Sequence, residues 1–128
     1  MTADLQTLVW SAALALVQMV IAAIGAQGQV GLPALAGNRE DLPPLTGWAG
    51  RARRAHFNML ENLLVFAIVV LVAHVAGKAN AMTALGAALF FWARLAYAAI
   101  YVAGVPWLRT AAWAVALAGI LLVFSQLF

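Results

Sequence analysis

Two charged residues, Glu61 and Arg94, lie inside long apolar stretches of this sequence. A charge within hydrocarbon is costly, so each of them is a candidate for a functional site. Measured from the helix ends on the same, predicted cytoplasmic, side of the membrane, each lies roughly 10–12 Å in, at about 1.5 Å per residue. Opposite charges at matching depth can pair and share the cost of leaving water. We therefore predict a Glu61–Arg94 pair, which leaves a structural and a functional role equally open.

Further polar side chains extend both positions into stripes. Residues spaced i, i+4, i+7 or i, i+3, i+7 fall on one face of a helix. The two stripes consist of Arg54, Asn58 and Glu61 on one helix and of Arg94, Tyr97 and Tyr101 on the next, with Arg51 at the rim of the first. Two facing polar stripes near one membrane surface predict a cleft, although tyrosines at this depth are also typical of an interfacial aromatic belt. His56 and His74 lack partners at the spacing of metal ligands, so we predict no metal site.

The side chains of such a cleft suit a small, anionic, peptide-like molecule. Arginines bind carboxylates in a forked geometry, and a glutamate can hold an ammonium group. Glutathione carries two carboxylates, one ammonium and a thiol, and this set of residues permits it without demanding it. An arginine beside the thiol would favour the thiolate, which is the reactive nucleophile.

The elements that position these residues are predicted to be membrane-spanning helices. Of the 128 residues, 66% are hydrophobic and 9% are charged, whereas soluble domains are roughly a quarter charged. Four apolar runs cover residues 5–24, 55–74, 81–102 and 111–128. Each is close to the roughly 20 residues that a helix needs to cross a bilayer, and none alternates like a barrel strand. We predict an all-α integral membrane protein in which residues 1–128 form a single domain, a bundle of four transmembrane helices in the lipid bilayer.

The connections between the runs predict a topology. Residues 25–50 contain Pro43-Pro44 and are predicted to be a loop, and residues 77–80 and 104–107 are short turns. Basic residues are concentrated in the first and third connections and their flanks, namely Arg39, Arg51, Arg53, Arg54 and Arg109, against Lys78 in the second. The positive-inside rule places the first and third loops in the cytoplasm and both termini outside. The net charge of +3 is therefore assigned to topology, and no nucleic-acid partner is expected. The chain has no cysteine, so any thiol must come from a ligand.

Two segments resemble the MAPEG family, the membrane-associated proteins in eicosanoid and glutathione metabolism. Residues 54–61, Arg-Ala-His-Phe-Asn-Met-Leu-Glu, resemble its Arg-Ala-x-x-Asn-x-x-Glu signature. Residues 93–101, Ala-Arg-Leu-Ala-Tyr-Ala-Ala-Ile-Tyr, resemble its Ala-Arg-x-x-Tyr-x-x-x-Tyr pattern, and a basic residue follows shortly after. Length, four spans and a long first loop extend the resemblance over nearly the whole chain.

This resemblance implies a homotrimer that binds glutathione as a co-substrate between neighbouring subunits, near the cytoplasmic face, and no metal. The implied glutathione-binding residues are Arg51, Arg54, Asn58, Glu61, Arg94, Tyr97 and Tyr101, with Arg39 and His56 as looser candidates. Arg109 corresponds to the arginine that stabilises the thiolate, in a register shifted by about one residue. Phe57 and Asn62 depart from the eicosanoid synthases, which favours a small bacterial-type member in a bacterial inner membrane.

The predicted function is therefore a glutathione-dependent transferase or peroxidase that acts on lipophilic electrophiles through an Arg109-stabilised thiolate. Two alternatives from other classes stay open. The first is a non-catalytic membrane protein of the same fold that binds lipids. The second is a small four-helix transporter, which the absence of a carboxylate from the first apolar run disfavours.

Overall fold

The computed structural model describes residues 1–128, and its only regular secondary structure is helical. Its helices are α1 (Ala3–Val30), α2 (Leu32–Ala36), α3 (Gly47–Val75), α4 (Ala81–Ala103) and α5 (Pro106–Ser125). All but the short α2 are long and apolar enough to cross a membrane. The predicted bundle of four transmembrane helices is confirmed, and the chain is an integral membrane protein.

Local signals in the sequence explain where α4 begins and where the chain turns between α4 and α5. The Asn80 side chain accepts hydrogen bonds from the backbone of Met82 and Thr83, while the Thr83 hydroxyl accepts one from the backbone of Asn80. This capping box satisfies donors that the first turn of a helix leaves free. Gly104 ends α4 with a φ of 86°, and Pro106 begins α5 two residues later. Because the connection is so short, the start of α5 lies beside the end of α4.

The loop predicted over residues 25–50 is shorter than expected. Helix α1 continues to Val30 and ends at Gly31, whose φ is 83°, and α3 already begins at Gly47. Residues 25–30 contain two glycines but no proline, so α1 continues through them. At the start of α3 the arginines are good helix formers, so their charge does not delay the helix. The Gln29 side chain then binds both the backbone N–H and the C=O of Thr46, at 3.0 and 2.8 Å, which fastens α1 to the start of α3.

Small residues hold the helices together, and most large apolar side chains face outward. A Cβ added to Gly25 would lie 2.8 Å from the Ala49 Cβ, and one added to Gly86 would lie 2.6 Å from the backbone oxygen of Gly119. Such contacts let helix backbones approach closely in a membrane, where burying apolar side chains against each other gains little. Exceptions inside the bundle include Phe66 of α3, which stacks on Phe90 of α4 at 3.9 Å. Helices α3 and α4 are thereby held with their polar stripes facing each other.

Two contacts define the ends of the bundle. Arg51, near the start of α3, donates from Nε to the backbone oxygen of Val102 at 2.9 Å. At the other end Thr83 donates to the carboxylate of Asp4. The connections before α3 and α5 therefore share one end, the basic end, and both termini lie at the opposite end. The side of the membrane that each end faces stays a prediction.

Candidate functional site

Arg94 lies at the centre of the polar stripes and is almost completely buried, with 1% of its surface exposed. Its Nη1 donates to Oδ1 of Asn58 at 2.8 Å, and its guanidinium lies 4.1 Å from the centre of the Tyr97 ring. Its Nε and Nη2 are buried without a hydrogen-bond partner. A guanidinium in hydrocarbon is therefore held by an amide and a ring face, and neither carries a compensating negative charge.

The predicted pair between Glu61 and Arg94 is wrong. None of the Arg94 nitrogens is bonded to a carboxylate, and Glu61 is exposed at the wall of a groove between α3 and α5. The register set by the contact of Arg51 with Val102 explains this. Running antiparallel from that contact, α3 brings Asn58 beside Arg94, and Glu61 lies three residues, or about 4.5 Å, further along the helix.

Tyr101 lies between two further guanidiniums. Arg54 of α3 donates from Nε to the Tyr101 hydroxyl at 3.2 Å, and Arg109 of α5 lies 4.3 Å from the centre of its ring. Tyr97 packs edge-on against Tyr101, with ring centres 5.5 Å apart. The hairpin turn explains the position of Arg109, because it places the first turn of α5 beside the last turn of α4. Three helices thus contribute one arginine each to a single cluster around two tyrosines.

Two cavities meet at Asn58. The smaller, of about 150 Å³, is lined by Asn58, Tyr97, Arg109, Thr110 and Trp113. The larger is a groove of about 540 Å³ between α3 and α5, whose polar lining is Asn58, Glu61 and Asn62 and whose other lining residues are apolar. A polar group held beside Arg109 would therefore lie next to space that suits an apolar molecule.

The hydrogen bonds around Asn58 define the orientation of its amide. Its Oδ1 accepts from Arg94 and also from Nδ2 of Asn62, the latter at 3.2 Å. With both donors on the oxygen, the Nδ2 group of Asn58 is left to donate toward the cavities that Asn58 lines. Sequence reasoning assigned no role to Asn62, although its i+4 spacing from Asn58 is that of a side-chain hydrogen bond on a helix.

The structure brings together six of the predicted site residues and places the others elsewhere. Those in or beside the cluster are Arg54, Asn58, Arg94, Tyr97, Tyr101 and Arg109, with Glu61 at the wall of the larger groove. Arg51 is turned to the C-terminal end of α4 by its bond to Val102. Arg39 donates to the backbone of Leu35 in the first connection. His56 is buried, with its Nδ1 unpartnered.

Sequence reasoning also missed Thr110 and Trp113 in the lining of the small cavity. Trp113 follows Arg109 by four residues, so it lies on the same face of α5. Extending the i, i+4 pattern from Arg109 would have found it.

Comparison with known proteins identifies the family and no individual relative. No curated protein and no solved structure matches the chain. The model of the MAPEG family matches residues 7–128, a range that takes in most of α1, all of α2 to α5 and every arginine of the cluster. The predicted family is therefore confirmed, and the chain belongs to the MAPEG family.

Proposed function

We propose that this protein is a membrane-bound, glutathione-dependent transferase or peroxidase that acts on lipophilic electrophiles. The family to which it belongs includes glutathione transferases, peroxidases and related proteins. The observation that carries the proposal is the excess of positive charge in the arginine cluster, where Arg94 is buried. Arg54, Arg94 and Arg109 surround the tyrosine pair, and no carboxylate binds Arg94. An anionic ligand would compensate this charge.

The residues of the cluster fit the functional groups of glutathione. Arg54 and Arg94 would attract its carboxylates, and Glu61 at the groove wall would attract its ammonium group. Further hydrogen-bonding groups would come from the amide of Asn58, and hydroxyls and ring faces from Tyr97 and Tyr101. Arg51 would join the site only after leaving the backbone of Val102, to which it is bonded.

Arg109 would act on the thiol. A guanidinium stabilises a thiolate electrostatically, and the effect is stronger in a site with little water. In the transferase reaction the sulfur forms a bond to an electrophilic carbon, and the leaving group departs with the bonding electron pair. The apolar groove of about 540 Å³ would hold the electrophile beside the sulfur, which lowers the entropic cost of their encounter.

A titration of the thiol tests this proposal. Thiolate absorbance is measured against pH for glutathione bound to the detergent-solubilised protein, together with conjugation of 1-chloro-2,4-dinitrobenzene. Arg109→Ala should shift ionisation of the bound thiol to higher pH and slow conjugation about 100-fold, the usual effect of removing one preorganised electrostatic group. Arg53→Ala is the matched control, because Arg53 is exposed at the same end and lies over Phe57, outside the cluster.

Two results would contradict the proposal. One is the absence of saturable glutathione binding to the wild-type protein. The other is conjugation that Arg109→Ala leaves unchanged. Lipid binding that persists without glutathione would then favour the alternative of a non-catalytic lipid-binding protein, since the large groove could hold a lipid without any reaction.

We further propose that the protein is a homotrimer in a bacterial inner membrane, with its basic end in the cytoplasm and both termini outside. The concentration of arginines at one end supports this orientation. Because the chain has no cysteine, single cysteines introduced at Arg53 and Lys78 can be labelled from either side without background. Labelling of the Arg53 position by a membrane-impermeant reagent added outside would contradict the orientation.

A further inference from the structure

The small cavity and the large groove are separate spaces that share a wall. The small cavity contains Arg109, and the groove has the apolar lining. Two residues line both spaces, Asn58 of α3 and Trp113 of α5. When a sulfur lies beside Arg109 and the apolar body of the electrophile lies in the groove, the part of the electrophile between them must pass these two side chains. Their chemistry therefore selects the group at that position.

The amide of Asn58 offers this passage a donor and no free acceptor. Its Oδ1 already accepts from Nη1 of Arg94 at 2.8 Å and from Nδ2 of Asn62 at 3.2 Å. The orientation of the Asn62 amide is fixed as well, because its Nδ2 also donates to the backbone oxygen of Asn58 at 2.8 Å. Nδ2 of Asn58 has no partner within the chain. Unlike Nε and Nη2 of Arg94, this nitrogen keeps accessible surface.

The second residue of the wall also lacks a hydrogen-bond acceptor. The indole of Trp113 can donate from its ring N–H and has no atom that accepts. The polar side chains with acceptor oxygens, Glu61 and Asn62, line the groove but not the small cavity. The wall therefore suits an uncharged acceptor without a hydrogen of its own. A carbonyl oxygen fits this description, whereas a hydroxyl or a hydroperoxide would bring a hydrogen that finds no acceptor there.

Asn58 is fixed and polarised as a donor before any electrophile binds. Two hydrogen bonds to Oδ1 hold its amide, and one of them comes from the guanidinium of Arg94. A cation bonded to an amide oxygen draws electron density from the amide nitrogen, which strengthens its N–H groups as donors. Such preorganised donors are most effective where charge develops on an oxygen during the reaction. Because Nδ2 carries two hydrogens, one can bind glutathione while the other binds the electrophile.

The order of features along the site defines the order of groups along the substrate. Arg109 lies in the small cavity, Asn58 lies at the wall, and the apolar lining of α3 continues to Val69, about 16 Å further at about 1.5 Å per residue. A matching molecule has a reactive carbon, then a carbonyl group, then an alkyl chain. We propose, on the basis of the transferase function proposed above, that the substrates are alkyl vinyl ketones and that Asn58 is a catalytic residue that donates to their carbonyl oxygen.

The reaction is a conjugate addition, in which no group leaves. The glutathione thiolate forms a bond to the terminal vinyl carbon, and the π electron pairs shift so that the carbonyl oxygen becomes an enolate oxygen. Nδ2 of Asn58 donates to this oxygen as its negative charge develops. The enolate then takes a proton from solvent water at the carbon beside the carbonyl, which restores the ketone and leaves a thioether.

Rates of conjugation at saturating glutathione test the role of Asn58. The electrophiles are oct-1-en-3-one and 1-iodooctane, which has no oxygen, and each rate is divided by the rate with free glutathione. Asn58→Asp keeps an acceptor for Arg94 but removes the donor. It should slow the reaction of the ketone about 100-fold relative to that of the iodide, the usual effect of one preorganised donor. A change in the bound thiolate alone would affect both reactions and leave their ratio unchanged.

An isomer and two variants sharpen this test. Oct-3-en-2-one carries its chain on the reactive carbon, so its carbonyl cannot lie at the wall while its chain lies in the groove. Its rate should gain about tenfold less from the protein, because the reacting groups are misplaced. Trp113→Phe removes the other N–H of the wall and should lower the ratio less than Asn58→Asp does. Leu117→Ala, the matched control in the groove beyond the wall, should leave the ratio unchanged.

The infrared carbonyl band of bound octan-3-one tests the contact without glutathione and without catalysis. The ketone carries carbon-13 at its carbonyl, and the protein is in lipid nanodiscs. A hydrogen bond from Asn58 should shift the band of the bound ketone to lower frequency, and Asn58→Asp should abolish the shifted band. Absent conjugation with a shifted band present would contradict the proposed function, whereas conjugation without a shifted band would contradict this inference.

Two kinetic results would also overturn the inference. One is a ratio of ketone to iodide conjugation that Asn58→Asp leaves unchanged. The other is a ratio that falls further in Tyr97→Phe or Trp113→Phe than in Asn58→Asp, since the donor to the carbonyl would then be the tyrosine hydroxyl or the indole.

Discussion

The two ends of the bundle both contain polar side chains, and they differ in whether those side chains are satisfied within the chain. At the end that carries the termini, Thr83 donates to Asp4, and Asn80 caps α4 and donates to Gln126 at 2.9 Å. No buried polar side-chain atom among these residues lacks a partner. At the basic end, two nitrogens of the buried Arg94 have none.

This difference distinguishes a structural polar cluster from a candidate binding site. A satisfied network in a membrane helps to hold helices together, and removing a member should affect folding. An unsatisfied cation stabilises little by itself, and removing it should affect what the protein binds. The following predictions test that distinction, from the largest expected effect to the smallest.

Arg94→Met should weaken glutathione binding about 100-fold, because it removes a buried charge that would attract the carboxylates of the ligand. The melting temperature without glutathione should stay the same or rise, since an apolar side chain of similar length replaces an uncompensated charge. Calorimetric titration and thermal unfolding of the same preparation check both parts. A large loss of stability with unchanged affinity would assign Arg94 to the structure alone.

Thr83→Val should have the opposite pattern. It leaves the Asp4 carboxylate without its donor and removes one half of the capping box, so the free energy of unfolding should fall by about 1–3 kcal/mol. Glutathione affinity of the folded protein should not change. If affinity fell as steeply as stability, the two ends of the bundle would be coupled and the comparison between them would fail.

Asn62→Leu should reduce conjugation about three- to tenfold, the effect of one hydrogen bond. On the glutathione side of the site Asn62 acts only through Asn58, whose amide it orients, while its own side chain lines the groove proposed for the electrophile. It is therefore a positioning residue, and kcat should change more than the KM for glutathione. Asn62→Gln, which keeps an amide donor, should restore part of the rate.

Tyr101→Phe should have the smallest effect, a two- to threefold loss of glutathione affinity. The substitution removes the hydroxyl that binds Arg54 at 3.2 Å but keeps the ring beneath Arg109. A cation–π contact depends on the ring face, so most of the cluster should persist. A loss above about 30-fold would mean that the hydroxyl itself touches the ligand.

Much of this arrangement could be predicted from the sequence because helical periodicity is simple. The apolar runs predicted the four spans, and the spacings from Arg54 and from Arg94 predicted which side chains share a face. The first residue of a helix, from which the depth of a side chain is counted, was harder to predict. The start of α3 was estimated from where apolar character begins, but Arg51 and Arg53 continue the helix back to Gly47.

The sequence could not predict, for a related reason, which side chain of one stripe contacts which side chain of the other. Asn58 and Glu61 lie on the same face, and only the register between α3 and α4 decides which of them meets Arg94. That register depends on contacts such as Arg51 with Val102, which no local pattern encodes. For the same reason Arg51 was assigned to the cleft, whereas its guanidinium binds the backbone oxygen of Val102 near the C-terminal end of α4.

In the α4–α5 hairpin the position of Arg109 does not depend on the shape of the large groove, although the two are often linked in enzymes. The hairpin is closed at one end by the turn at Gly104 and at the other by the backbone contact of Gly86 with Gly119. The main chain therefore sets the position of Arg109 relative to Tyr101, and the side chains of the large groove do not. Substitutions at Leu121 or Phe124, which line that groove, could alter which apolar molecules fit while the arginine stays in place. The range of substrates that fit the groove could thus change while the arginine that would activate the thiol keeps its position.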